Sequence, residues 1–130
     1  MRKLLITLIA LFGINTPILA VDWVYIGTSN RENINYLDVD SIEPEGSNTY
    51  VWYKVIIRDP DNELKKEGVD TIKARLVFNC KEKTYKLMRS ISYDEQGRTI
   101  WEANDNESFE SITPNTVPAR IYNHICLNKN

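Results

Sequence analysis

The two cysteines of this 130-residue chain, Cys80 and Cys126, constrain what it can fold into more than any other residues. Cys80 ends a segment in which apolar and polar residues alternate, which is the pattern of a half-buried β-strand. Cys126 lies in a segment whose apolar residues recur every three or four positions, which is the pattern of an amphipathic helix. Both cysteines fall on the apolar side of their segments. A bond between them would therefore hold a C-terminal helix against a sheet.

The first twenty residues read MRKLLITLIALFGINTPILA and have the three parts of a secretory signal peptide. Arg2 and Lys3 give a positive start, residues 4–12 form an uncharged apolar run, and Ala20 offers a small residue for cleavage. A buried N-terminal helix is the alternative. The run is too short to span a bilayer, and no cysteine follows it to carry a lipid. We therefore expect export through the inner membrane, no transmembrane segment or lipid anchor, and a mature protein that starts at Val21 and is periplasmic, secreted or on the cell surface.

Residues 21–130 read as one domain, in which turn signals at fairly regular spacing separate segments of strand composition. Thr116 is a suitable N-cap for the helix that follows, and Pro118 falls in its first turn. An even cysteine count in an exported chain favours a Cys80–Cys126 disulfide. The predicted fold is α+β, an antiparallel meander of about six strands with one C-terminal helix packed on one face and tied by the disulfide. The predicted strands are 22–28, 34–39, 49–58, 69–80, 84–94 and 98–103, with a turn at 41–48 and a surface loop up to residue 68.

The segment TYVWYKVIIR, residues 49–58, is apolar on both sides. One set of alternate residues, which includes Val51 and Tyr53, suits the core. The other set includes Tyr50 and Trp52, which a single helix on the opposite face would leave uncovered. Exposed aromatic side chains are typical of protein–protein contacts, so Tyr50 and Trp52 are candidates for a dimer or partner surface. Cover from a loop or from the N-terminal strand is the alternative.

The segment 84–94 places Tyr85, Leu87, Ile91 and Tyr93 on one side of a strand. Arg89 falls on that same apolar side, between Leu87 and Ile91. We interpret Arg89 as a snorkelling or ion-paired residue at an edge of the sheet.

Charge is distributed unevenly along the chain. The full sequence has a formal net charge of −2, yet residues 65–98 carry nine basic and five acidic side chains. A solvated outer face is one interpretation, and an attachment surface for an acidic partner, weakened by salt, is the other. Aromatic residues are not expected among these cations, which argues against nucleic acid as a partner. The candidate partner-binding residues are Lys73, Arg75, Lys81, Lys83, Lys86 and Arg89.

No constellation of residues in the sequence predicts catalysis or a metal site. His124 is the only histidine and falls on the polar side of the helix, so zinc and copper sites are not expected. The run DPDNE at residues 59–63 begins like a calcium loop, but Leu64 stands where that loop needs glycine. No nucleophile–base pair and no phosphate-binding glycine loop is present. We therefore expect a protein that is not an enzyme and has no cofactor.

The order of the segments resembles the surface-adhesin protein E family of bacterial envelope proteins. The resemblance covers essentially the whole chain after the signal peptide, and it is the ordered set of residues that carries it. The matching residues are Trp23, Asn35 to Asp38, Ser41 and Ile42, Val51 to Lys54, Phe78 to Cys80, Tyr85 to Leu87, Tyr93 and Asp94, Gly97, Ile112 to Pro114, and Ile125 and Cys126.

The resemblance implies a six-stranded antiparallel sheet with a C-terminal helix tethered by the cysteine pair. It also implies homodimers, and attachment to host extracellular-matrix proteins such as vitronectin and laminin, as in the namesake of the family. We therefore expect a binding module that recognises an extracellular-matrix glycoprotein through the basic hairpin, residues 73–89. A periplasmic structural or interaction protein without a host ligand is the alternative.

Overall fold

The computed structural model describes residues 22–29, 32–105 and 107–127. The predicted signal peptide lies outside these residues. The described chain forms one antiparallel sheet in the order β1-β2-β3-β4-β5-β6, with a short β7 paired to β5. Each of the six main strands pairs with the next in sequence, which confirms the predicted meander. The strands are β1 Trp23–Thr28, β2 Ile34–Glu45, β3 Asn48–Ile56, β4 Thr71–Asn79, β5 Thr84–Tyr93, β6 Thr99–Asn104 and β7 Glu110–Ser111.

Strand β2 runs further than the sequence predicts. The segment 41–48 was expected to be a turn, but β2 continues to Glu45 and only residues 46–47 turn. The pairing with β3 is interrupted after Asp38 and resumes at Glu43. Ser41 bridges the gap, because its Oγ accepts a hydrogen bond from the Trp52 N–H at 2.8 Å. The Ser41 hydroxyl thus replaces a backbone acceptor that is missing where the β2–β3 pairing is interrupted, and β2 continues beyond this point.

The segment between β3 and β4 also contains structure where a plain loop was expected. A one-turn helix, α1, spans Glu63–Lys66. Asn62 caps it, since its side-chain oxygen accepts a hydrogen bond from the Leu64 N–H at 2.8 Å.

The C-terminal helix α2 spans Val117–Tyr122 and continues as a π-helical turn over Asn123–Leu127. Thr116 is its N-cap as predicted, because its Oγ1 accepts a hydrogen bond from the Ala119 N–H at 3.3 Å. The helix packs on one face of the sheet, which we call the helix face. The core between them contains Leu37, Val51, Leu76 and Phe78 from the strands and Ile121, Tyr122 and Ile125 from the helix.

The Cys80–Cys126 disulfide is present, with the two Cα atoms 5.5 Å apart. It joins the residue after β4 to the π-helical turn. The Tyr122 hydroxyl donates a hydrogen bond to the Cys80 carbonyl at 3.1 Å, which fastens the helix to the same point. The prediction that the cysteine pair ties the helix to the sheet is therefore confirmed.

A bulge in β5 reverses the side chains of that strand. Leu87 pairs with Leu76, but Arg89 pairs with Arg75, so Met88 is an extra residue. Residues before Met88, such as Leu87, contact the core on the helix face. Side chains alternate between the two faces of a strand, so one inserted residue exchanges the faces for every residue that follows it. After Met88, the odd-numbered residues therefore point away from the helix. The predicted grouping of Tyr85, Leu87, Ile91 and Tyr93 on one face is therefore wrong.

Candidate binding surface

The sheet face opposite α2, which we call the outer face, carries most of the predicted binding residues. The register places on it side chains from β1, β2, β3, β4 and β5. Its central residues are Trp23, Tyr36, Tyr50, Trp52, Lys54, Lys73, Arg75, Lys86, Arg89, Ile91 and Tyr93.

The six basic residues of the hairpin fall into two groups. Lys73, Arg75, Lys86 and Arg89 belong to strands β4 and β5 and lie on the outer face. Lys81 and Lys83 lie in the turn between these strands and are exposed. The hairpin is therefore basic on its flat outer side and at its tip.

Tyr50 and Trp52 are half-buried rather than exposed. The Arg75 guanidinium lies 4.8 Å from the centre of the Tyr50 ring and covers part of it. Large apolar side chains that are well exposed in the described residues lie elsewhere, at Tyr25, Ile100, Trp101, Phe109 and Leu127.

Two pairs of like charges face each other across strands on the outer face. Arg75 on β4 is directly opposite Arg89 on β5, and Lys54 on β3 is directly opposite Lys73 on β4. Like charges placed directly opposite in a sheet destabilise it. Each pair therefore needs compensation from another group.

The arginine pair is compensated by carboxylates. Arg75 Nη2 lies 3.5 Å from Glu43 Oε2, and Arg89 Nη2 lies 3.2 Å from Glu102 Oε1. The ion pair of Arg89 agrees with its interpretation as an ion-paired residue, but its expected position at an edge of the sheet is wrong, because Arg89 pairs with both Arg75 on β4 and Asn104 on β6. The bulge at Met88 explains why the charge is tolerated. Arg89 does not face the core.

The lysine pair is compensated only by aromatic rings. Lys54 Nζ lies 4.6 Å from the centre of the Trp23 ring and 5.2 Å from that of Tyr36. Lys73 Nζ lies 5.9 Å from the Trp23 ring centre and 5.0 Å from that of Tyr93. Among the described residues, neither ammonium group forms an ion pair with a carboxylate. Burial, and then the neighbouring Lys73 charge, lower the pKa of Lys54.

Aromatic and basic side chains are thus interleaved on the outer face, and the expectation that they would not be is wrong. The rings come from β1, β2 and the end of β5, while the lysines come from β3 and β4. The sequence separates these segments, and only strand pairing brings them together. Lys54 was missed for the same reason, although its alternation with Tyr50 and Trp52 could have assigned it to this face.

An open groove of about 500 Å³ lies on the outer face beside the arginine pair. Trp52, Arg75, Arg89 and Ile91 line it together with Met88 and Asn104. Guanidinium groups beside an indole and an aliphatic side chain form a surface of the kind that protein partners recognise.

A smaller cavity of about 260 Å³ lies at the side of the sheet between β5 and the start of α2. Tyr53, Tyr85 and Glu110 line it, and the Tyr85 hydroxyl donates a 2.5 Å hydrogen bond to Glu110 Oε1. Burial and this hydrogen bond raise the pKa of Tyr85 to about 12. The phenol is therefore a proton donor to Glu110 at neutral pH.

Metal-binding side chains are not gathered anywhere in the described ranges. No group of three or more His, Cys, Asp or Glu residues with suitable placement occurs in residues 22–29, 32–105 and 107–127. Over the same ranges, no helix has the length and apolar character needed to cross a membrane.

The sequence profile of the surface-adhesin protein E family matches residues 23–127. This chain belongs to that family. The match spans every strand and helix described above, including both cysteines. Membership indicates an adhesin-like protein that binds other molecules and that is found at the cell surface or is secreted.

Solved structures of Haemophilus influenzae protein E have the same fold as this family member. Its selenomethionine form is 21% identical, with a TM-score of 0.58 over 87% of this chain and 93% of that chain. A second crystal form is 21% identical, with a TM-score of 0.58 over 87% of this chain and 94% of that one. Protein E from non-typeable Haemophilus influenzae is 20% identical, with a TM-score of 0.52 and coverages of 87% and 82%. No curated protein sequence matches the chain significantly.

Proposed function

We propose that this protein is an exported, non-enzymatic adhesin that attaches to host extracellular-matrix glycoproteins through its basic hairpin. The observation that carries the proposal is the placement of the hairpin cations. Four of the six lie on the outer face, away from the helix, and two lie at the exposed turn. The four strand cations are therefore available to one partner that approaches the outer side of the sheet, and the turn cations extend this surface at its end. Lys83 also borders the helix side, where it lines a cavity with Ala119 and Tyr122.

The hairpin is held rigidly by a disulfide and by buried aromatic packing. Cys80 begins its turn and is bonded to Cys126, and the Phe78 side chain beneath it is fully buried. Phe78 also stacks on Tyr85 of the neighbouring strand, with ring centres 5.6 Å apart. A rigid base lowers the entropy lost on binding, so more of the contact energy appears as affinity.

Electrostatics supports an acidic partner. Residues 65–98 carry a net positive charge although the whole chain is negative. A local positive surface steers acidic partners toward the hairpin and raises the association rate, and salt screens this effect.

Tyr50 and Trp52 extend the proposed surface toward β3. They flank Arg75, and Trp52 lines the open groove. Tyrosine, tryptophan and arginine are the residues that most often dominate binding energy at protein interfaces. We therefore include both aromatic residues in the proposed contact, whether the partner is a matrix protein or a second copy of the chain.

Reversing charge at the hairpin tests the proposal. The variant Lys81→Glu/Lys83→Glu/Lys86→Glu is expected to bind immobilised vitronectin and laminin at least tenfold more weakly at physiological salt. Its binding should also depend less on salt concentration, because fewer ionic contacts remain. Surface plasmon resonance measures both quantities.

The matched control is Arg58→Glu/Lys66→Glu/Arg98→Glu, which changes the net charge equally at exposed positions outside the hairpin tip. This control should keep most of the affinity. Unchanged binding by the folded hairpin variant, or equal losses in both variants, would overturn the role of the hairpin.

A further inference from the structure

We propose that Lys54 and Lys73, together with Trp23, Tyr36 and Tyr93, form a binding site for the sulfated sugars of an acidic polysaccharide. This inference deepens the proposed function by naming a ligand class for the outer face. The inference rests on the proposed function in one respect, namely that the protein must be outside the cell to meet extracellular glycans. The residues involved lie apart from the hairpin turn.

The first argument is the contrast between the two cation pairs. Both pairs are directly opposed across neighbouring strands of the same face. Glu43 and Glu102 neutralise the arginine pair, whereas the lysine pair has no carboxylate partner in the described part of the chain. Burial, and then the same repulsion from Lys73, lower the pKa of Lys54. An anion near the two ammonium groups would offset the repulsion, just as Glu43 offsets the charge of Arg75 and Glu102 that of Arg89.

The second argument is the aromatic surround. Trp23, Tyr36 and Tyr93 are each half-buried and lie within 6 Å of at least one lysine ammonium. Their apolar ring surfaces suit the C–H faces of a sugar ring, and the ammonium groups suit its sulfate groups. In the described residues the hydroxyls of Tyr36 and Tyr93 have no hydrogen-bond partner, so both are free to bond sugar hydroxyls.

The third argument is the position of the site in the sheet. β3 and β4 are central strands, and around Lys54 and Lys73 each is paired with two neighbours. Their backbone N–H and C=O groups are used in the sheet, so a peptide cannot add to them as a strand. Only side chains are presented here. Cations set among aromatic rings favour a sulfated sugar over an extended acidic peptide.

The experiment uses a heparin-derived hexasaccharide and the same hexasaccharide after desulfation and N-acetylation. Isothermal titration calorimetry with the folded, oxidised protein at physiological salt is expected to show binding of the sulfated form only. Lys54→Gln/Lys73→Gln should weaken that binding at least tenfold. The matched control Arg75→Gln/Arg89→Gln removes the same number of charges from the same face and should weaken it no more than threefold.

A second measurement locates the ligand. In a Trp52→Phe/Trp101→Phe background, Trp23 is the remaining tryptophan. Its fluorescence should change on addition of the sulfated hexasaccharide and stay constant with the desulfated one. A saturable change would support contact at this site, and no change would overturn it.

The other outcomes are also decisive. Equal losses in the lysine and arginine variants would show a general charge effect and overturn the specific site, as would absence of binding to the unsubstituted protein. If the hexasaccharide fails to bind while vitronectin and laminin still bind through the hairpin, this inference fails and the proposed function stands. If matrix binding is absent while hexasaccharide binding depends on Lys54 and Lys73, the proposed function fails and this inference stands.

Discussion

At the scale of single residues, the hydrogen bond from Tyr85 to Glu110 is the contact with the clearest effect on protonation. Burial, followed by the bond to the Glu110 carboxylate, raises the pKa of Tyr85 to about 12. An unfolded tyrosine has a pKa of about 10. The folded state therefore holds the phenol proton more tightly than the unfolded state does, so this contribution to stability is present below about pH 10 and is lost as the pH rises toward 12.

Glu110→Gln is expected to lower the pKa of Tyr85 toward its ordinary value, because the amide no longer carries the negative charge that favours the neutral phenol. Tyrosine ionisation followed by absorbance near 295 nm measures the shift. Tyr85→Phe identifies the relevant transition, since it removes that component from the titration. Coincident titration curves for Glu110→Gln and the unsubstituted protein would show that the carboxylate has no such effect.

At the scale of elements, the bulge in β5 and the disulfide decide how hairpin and helix are arranged. Met88 turns Arg89 onto the outer face, where Glu102 neutralises it. The Cys80–Cys126 bond holds the tip of the same hairpin to the last helical turn across a sequence separation of 46 residues. The helix has only six α-helical residues before the π-helical turn, too few for independent stability.

Replacing the cysteines, as Cys80→Ala/Cys126→Ala, is expected to lower the free energy of unfolding by about 4 kcal/mol, because the open chain regains loop-closure entropy when it unfolds. Urea denaturation followed by circular dichroism measures the change. A reducing agent should lower the stability of the unsubstituted protein by a similar amount and leave the variant unaffected. Equal unfolding midpoints for the oxidised and reduced protein would contradict a stabilising role for the bond.

At the scale of the whole molecule, one face of the sheet forms the core and the other presents side chains for binding. The helix face is closed by α2 and the disulfide, and the outer face presents cations and rings. An adhesin must present such a face outside the cell. The proposed function therefore requires surface display, whereas the periplasmic alternative does not.

Protease added to intact cells is expected to digest this protein, because the proposed function places it on the outer surface. Immunoblotting measures the loss, and a known periplasmic protein serves as the control that must stay intact. Protection of the protein until the outer membrane is permeabilised would instead support a periplasmic interaction role.

Local sequence patterns predicted much of the architecture, but they predicted the candidate site only in part. Alternation located the six strands, and Thr116 marked the start of the helix, because both signals depend on neighbouring residues. Lys73 and Arg75 alternate with Ala74 and Leu76 of the core, and the structure places both cations on the outer face. Ile91 and Tyr93 were placed on the wrong face, because the bulge at Met88 carries no local signal in the sequence.

The sequence by itself determined the order of strands and helix and the pairing of Cys80 with Cys126, since periodicity and cysteine count are properties of the chain. The tertiary structure alone decided which side chains meet. Lys54 faces Lys73, and Trp23 lies beside both, because of the register between separate strands. That register depends on hydrogen bonds and packing across the sheet, and a shift of one residue would reverse every side chain.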